Sequence, residues 1–220
     1  MMDAGLLAAL LPDFAHSLAR TLLLVATALS GGLAIGFVVN AIRVLCPHQS
    51  RWFYTVYTSV WRGTPFLVQL FIVYFGLPVL GIRFSPFMAA AVTLALYCGA
   101  YCAEIFRGCW NTISHGQIEA ALIMGISRRD CFLRIELPQA TRMSLPLLAN
   151  QSILTLKESA LASIITYPEL TMTAGRIVSE QFIYIEPYLL LAATYWLLAT
   201  LMQAASRFLQ HHTDLTRQSS

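Results

Sequence analysis

Apolar residues occupy this chain in long blocks, and charge is confined almost entirely to the segments between them. The stretches Thr21 to Ile42, Gly63 to Ile82, Phe84 to Ala103 and Pro187 to Ser206 contain no Asp, Glu, Lys or Arg. Each reaches the roughly 20 residues that a helix needs to cross the hydrocarbon of a bilayer. A fifth block, Met143 to Pro168, is interrupted only by Lys157 and Glu158. It is read as a span because ionisable groups inside a membrane are tolerated where they face protein or water rather than lipid. The pattern predicts an all-α integral membrane protein with five transmembrane helices and its termini on opposite sides.

Composition agrees. The chain is 57% hydrophobic and 11% charged, whereas soluble domains hold roughly 45–50% apolar and about 25% charged residues. No linker, internal repeat or low-complexity run divides it, so residues 1–220 are read as one membrane domain.

Cationic residues set the orientation, because positively charged loops stay cytoplasmic. With the amino terminus outside, the inner segments hold Arg43, Arg51, Arg62, Arg107, Arg128, Arg129, Arg134, Arg142, Arg207 and Arg217. The outer segments keep Arg20, Arg83 and Arg176. The net charge of +3 follows from this asymmetry and leaves no nucleic-acid footprint. Met1 to Ala19 carries Asp3 and Asp13 and no Lys or Arg, which is not the pattern of a cleaved signal peptide, so the first span is expected to be retained.

Cys46, Cys98, Cys102, Cys109 and Cys131 fall in spans or on the inner side, where disulfides are rare. Cys98 and Cys102 lie four apart on one helix face and read as packing. No Cys/His cluster has metal-ligand spacing, so no metal site is assigned. His16, His48, His115, His211 and His212 are scattered near ends and loops, none beside a nucleophile, and no catalytic residue is assigned.

Between the third and fourth spans, residues of about 114–138 break the apolar pattern. Ser114 with Gln117 has the form of a capping box that starts a helix, and Gly125 supplies the positive backbone angle that ends one. Ser127 with Asp130 offers a weaker box for a second helix, and Pro138 marks its expected end. The small Ala120 and Ala121 let another backbone approach, and Glu119 can accept charge-assisted hydrogen bonds from a partner. A helix-turn-helix for nucleic acid would need more basic residues and freedom from the flanking spans.

The order Glu119, Ala120, Ala121, then Gly125, then Ile135, Leu137 and Pro138 resembles the cytoplasmic coupling segment of ABC importer permeases. Arg62 to Pro78, Tyr101 to Gly108 and Leu137 to Leu170 resemble the corresponding stretches of permeases for polar amino acids, the histidine, glutamate, glutamine, arginine and opine group. Ser114, where relatives often carry proline, and Cys109 and Cys131 depart from that pattern.

The resemblance implies a type I importer in the bacterial cytoplasmic membrane. Two permease subunits, copies or paralogues, form the pathway, two ATP-binding subunits drive it, and an extracytoplasmic solute-binding protein delivers a polar amino acid. This chain has no G-x-x-x-x-G-K-[ST] loop, so ATP and Mg are expected on the partner and no cofactor on this chain. Glu119, Ala120, Ala121 and Gly125 are then the ATPase-coupling residues.

Pathway or gate candidates follow from polarity inside the spans. Lys157 and Glu158 are the ionisable pair deep in the fifth block, either contacting a zwitterionic solute or serving as a scaffold. Adjacent residues on a helix point roughly 100° apart, so they need not share a cavity. Arg62, beside Gly63, Thr64 and Pro65, either lines the pathway or anchors the span, and the helix is expected to start or bend there. Gln69, Asn150 and Gln151 offer hydrogen bonds to solute or to neighbouring helices. Glu104 and Arg107 suit a structural pair. The segment Tyr167 to Pro187, with Glu169, Glu180 and Glu186, is expected as an outward loop that meets the binding protein.

Two other readings stay open. One is an ABC permease for another small solute, such as an opine. The other is a channel or membrane enzyme outside the ABC class, for which a docking hairpin has no use.

Overall fold

The computed structural model describes residues 4–215, and among them the chain is helical without a strand. Arg217 and Asp3, used in the charge reading, lie outside the described residues, as do the side chains of His211 and His212. The helices are α1 (Ala4–Leu45), α2 (Pro47–Gly63), α3 (Phe66–Phe71), α4 (Pro86–Asn111), α5 (His115–Ile123), α6 (Arg128–Cys131), α7 (Leu137–Glu158), α8 (Leu170–Gln181) and α9 (Ile185–Leu215).

Helices α1 and α4 form the most intimate pair, and small residues are the reason. A Cβ at Gly36 would lie 2.5 Å from the Cβ of Cys102, and one at Gly32 would lie 2.8 Å from that of Cys98. Gly32 and Gly36, four apart, thus receive Cys98 and Cys102 in a close approach of the kind small residues permit between membrane helices. Cys98 and Cys102 are buried there, as the packing reading expects.

Three described helices are long and apolar enough to cross a membrane: Leu10–Leu45, Pro86–Asn111 and Ile185–Phe208. The pair His48–Gly63 and Phe66–Leu80 is long and apolar enough when taken together, bent by 103°. By length and composition the described residues thus hold three spans, or four with the bent pair. The expected fifth block forms α7 and a 3-10 stretch, Ser159–Ile165, whose Lys157, Glu158, Asn150 and Gln151 lower its hydropathy.

The bend between α2 and α3 falls at Thr64 and Pro65, both extended, because proline pushes its predecessor out of the helical region. Gln69 straps the break. Its Nε2 donates to the carbonyls of Trp61 at 2.9 Å and Thr64 at 3.1 Å, and to Thr64 Oγ1 at 2.7 Å. Helix-end carbonyls that α2 leaves unpaired are satisfied in this way. Beyond α3 the chain widens to a π stretch, Ile72–Gly76, tightens to 3-10 at Leu77–Leu80 and ends on Gly81 with φ +81°.

The segment expected as an outward loop is largely α8. Leu170, Ala174 and Ile177, at helical spacing, are buried against Leu10 and Phe14 of α1, and that packing folds an otherwise polar segment. Glu169 is consequently not an exposed acid. It is fully buried, accepts the Met172 amide at 2.8 Å as the cap of α8, and accepts the Tyr195 hydroxyl at 3.1 Å. Burial pushes its carboxyl above the usual carboxylate range.

The bundle has two distinct ends. At one, Tyr167 bonds the Arg20 carbonyl and Arg176 reaches Asp13 at 2.7 Å. At the other, Arg43 of α1 meets Asn111 of α4, and the α5–α6 hairpin projects.

Candidate functional site

The hairpin is built by local rules. Gly125, with φ +81°, closes α5 in a Schellman arrangement: the Ile126 amide bonds the Ala121 carbonyl at 3.0 Å and the Gly125 amide bonds that of Leu122 at 3.0 Å. Ser127 caps α6, accepting the Asp130 amide at 3.1 Å. The capping box expected at the start of α5 does not form. Ser114 makes no side-chain cap bond: the Gln117 amide bonds the Ser114 carbonyl at 3.1 Å, and the Gln117 carboxamide oxygen accepts from Gln139 across the hairpin at 3.0 Å.

Nor does Pro138 end the second helix. The helix runs from α6 through a π stretch, Phe132–Glu136, directly into α7, with Pro138 in the first turn. The π bonding shifts the hydrogen-bond register just where proline lacks a donor.

The exposed face of the knob carries Glu119, Ala120, Leu122, Ile123, Met124 and Gly125. Ile123 is 86% and Met124 73% exposed, an apolar tip that a soluble partner would cover. Ala121 points inward and is buried, so its small side chain serves the hairpin itself, and Ala120 is the small residue offered outward.

Behind this tip sits an anchor that sequence reasoning missed. Glu136, 1% exposed, accepts the Trp110 indole N–H at 3.1 Å and the Arg128 guanidinium, and meets the Cys131 thiol at 3.7 Å. Trp110 also stacks on Phe132 with ring centroids 5.7 Å apart. One buried carboxylate thus ties α6 and the start of α7 to α4. The signal available was an acid between Ile135 and Leu137 in an apolar stretch.

Two turns along α4 lies a second junction. Glu104 meets Arg107 at 2.9 Å and Arg62 at 3.2 Å, and accepts the Tyr54 hydroxyl. Arg62 also lies over the Tyr101 ring, 5.3 Å from its centroid. The expected Glu104–Arg107 pair is therefore one limb of a larger hub between α2 and α4. From it Tyr101 leads to Tyr97, hydroxyls 3.4 Å apart.

The remaining candidates separate. Lys157 is exposed and Glu158 half-buried at the junction of α7 with the 3-10 stretch, and neither makes an ion pair with a described residue. Asn150 is exposed and lines a cavity of about 290 Å³ with Gln203 and Arg207, whereas Gln151 is buried. Gln69 is buried at the bend, with its Oε1 unpartnered. The structure brings Arg62 to the Tyr101–Tyr97 pair and leaves Asn150 on the α9 side. Among the described residues no group of His, Cys, Asp or Glu is arranged to hold a metal ion.

This geometry coincides with known proteins. Residues 32–214 match the family described as binding-protein-dependent transport system inner membrane component. The chain is 35% identical to the arginine transport system permease protein ArtQ of Bacillus subtilis, over 87% of this chain and 88% of that one. It is 33% identical to the L-cystine transport system permease protein TcyB of the same organism, over 83% and 79%. A crystal structure of an amino acid ABC transporter with histidines superposes with a TM-score of 0.89 at 32% identity, covering 96% of this chain and 99% of that one. The helical bundle with its projecting, anchored hairpin is thus the fold of a type I ABC importer transmembrane domain, and the chain belongs to the binding-protein-dependent transport system inner membrane components, the permease subunits of ABC importers.

Proposed function

We propose that this chain carries a polar amino acid across the cytoplasmic membrane and takes its drive from a separate ATP-binding subunit docked on α5. The observation that carries the reading is the pairing of an exposed tip, Glu119 to Gly125, with a buried anchor, Glu136, on the opposite side of the same hairpin. Such a knob offers contacts to a moving partner and a stiff connection to α4, which a rigid-body switch between two states requires.

In this reading residues 1–220 form one domain of five spans, the fifth being α7 with its 3-10 extension. The amino terminus is outside, and the hairpin and carboxyl terminus are cytoplasmic. The Arg distribution between the two ends supports that orientation. Two ATP-binding subunits holding ATP and Mg, a second permease subunit and an extracytoplasmic solute-binding protein complete the transporter. The amino-acid substrate is supported by the arginine and cystine transport named for the relatives and by the amino acid transporter superposed above. Lys157, Glu158, Arg62, Gln69, Asn150 and Gln151 are the pathway or gate candidates, with Arg62 over the ring of Tyr101.

The test is ATP-driven uptake into proteoliposomes that hold the chain with its ATP-binding and solute-binding partners, offered basic, acidic, amide and sulfur-containing amino acids. Uptake of one class that disappears with Glu119→Arg is the expected result. Uptake that persists without any ATP-binding subunit overturns the reading.

A further inference from the structure

Between the hairpin and the ends of α1, α2 and α4 lies a cavity of about 740 Å³, within the range of small-ligand sites. Guanidinium or imidazole groups line it from every side: Arg43 from α1, His48 and Arg51 from α2, Arg107 from α4, and His115 and Arg128 from the hairpin. On α2, His48, Arg51 and Thr55 repeat at helical spacing, so that one face of the helix is turned to the cavity.

Carboxylates compensate only part of this charge. Arg107 has Glu104 and Arg128 has Glu136, and Glu104 is already shared with Arg62. Arg43 turns to the Asn111 carboxamide and lies over the Tyr54 ring. Among the described residues no carboxylate pairs with Arg43 or Arg51. A cavity with several converging guanidinium and imidazole donors and uncompensated positive charge selects an anion with multiple acceptor oxygens, which is the geometry of phosphate.

We infer that this cavity binds a phosphate group, held jointly by α1, α2, α4 and the coupling hairpin. A phosphate there bridges the hairpin to Arg51 of α2, which no side-chain hydrogen bond or ion pair does among the described residues, and so stiffens the base of the joint. The exposed Trp52 and Phe53 follow Arg51 on α2. They offer an apolar, aromatic flank of the kind found at the lipid headgroup level, which favours the headgroup of an anionic phospholipid over a free phosphate. The lipid source rests on the membrane orientation proposed above. The phosphate chemistry does not, and binding is read without transport, so its failure leaves the importer reading standing.

The experiment places the full chain with its ATP-binding partner in phosphatidylcholine nanodiscs and titrates either phosphatidylglycerol or inorganic phosphate, reading retained lipid by native mass spectrometry and phosphate by calorimetry. Saturable binding in at least one arm is expected, weakened about tenfold by Arg51→Gln, which removes a charge-assisted hydrogen bond. A further loss with His48→Gln and partial recovery with Arg51→Lys are also expected. Retained phosphatidylglycerol identifies the lipid headgroup, whereas phosphate binding alone identifies a soluble anion. Binding in neither arm, binding indifferent to Arg51→Gln, or a cavity filled by the ATP-binding subunit's own side chains so that neither probe enters, overturns the assignment.

Discussion

The indole N–H of Trp110 donates to the buried carboxylate of Glu136 across 3.1 Å, joining the last turn of α4 to the junction where the coupling hairpin becomes α7. Glu136 also accepts Arg128 from α6, and its removal leaves the buried Trp110 indole without an acceptor and Arg128 without its carboxylate. Glu136→Ala is expected to destabilise the purified permease by about 1.5–3 kcal/mol, the usual effect of losing hydrogen bonds to a charged group. Thermal unfolding in detergent measures this, and an unchanged midpoint would count against the anchor.

Gly36 tests the close approach of α1 and α4. Its substitution by alanine sets a Cβ 2.5 Å from that of Cys102, near backbone atoms that have no room to yield, and overpacking of this kind costs about 1–3 kcal/mol. Gly108, in α4 with nothing within 4 Å of an added Cβ, is the control: Gly108→Ala gains about 0.5–1 kcal/mol from helix propensity. Equal effects at the two sites would contradict the packing account.

Gly125→Ala places a side chain at φ +81°, a conformation that costs a non-glycine residue about 1–2 kcal/mol. The loss appears as faster hydrogen exchange at the Ile126 amide, whose bond to Ala121 closes α5. Gly125→Asn, which tolerates the left-handed region, preserves most of the protection. Equal exchange in both variants would remove the strain argument.

Glu169 gives the permease a pH dependence of known sign. Burial raises its carboxyl above the ordinary range, so between the ordinary and the raised value the native state binds more protons than the unfolded chain. Stability from this group is complete below the ordinary carboxylate pKa and declines as pH rises through the raised native value. Glu169→Gln flattens that decline in a series of unfolding midpoints against pH, and a variant with the full wild-type slope would exclude Glu169 as its source.

The parts of the hairpin that follow local rules were legible in the sequence: the Gly125 stop and the Ser127 cap depend on neighbours within a few residues. The bend at Pro65 was legible for the same reason. The Trp110–Glu136 bond was not, since the choice of partner 26 residues away is made by tertiary packing. Helix α8 hid behind Glu169, Arg176 and Glu180, although Leu170, Ala174 and Ile177 carried its period. The Gln117 limb of the capping box at Ser114 is lost to a partner in Gln139, which a linear pattern does not disclose. Among the candidate pathway residues, sequence polarity selected Arg62, Gln69 and Gln151 alike, but only the fold separates a strap at a bend from a limb of the Glu104 hub.

The central claim is that ATP-driven motion enters through the exposed tip of α5 and reaches the spans through the Glu136 anchor. The direct measurement is the number of ATP molecules hydrolysed per solute imported in proteoliposomes, compared between the wild type and Trp110→Phe, which keeps the stacking on Phe132 and removes the indole donor. The account predicts that the ATP-binding subunit still docks and hydrolyses ATP while uptake falls, so the ratio rises severalfold. An unchanged ratio at wild-type uptake would contradict it.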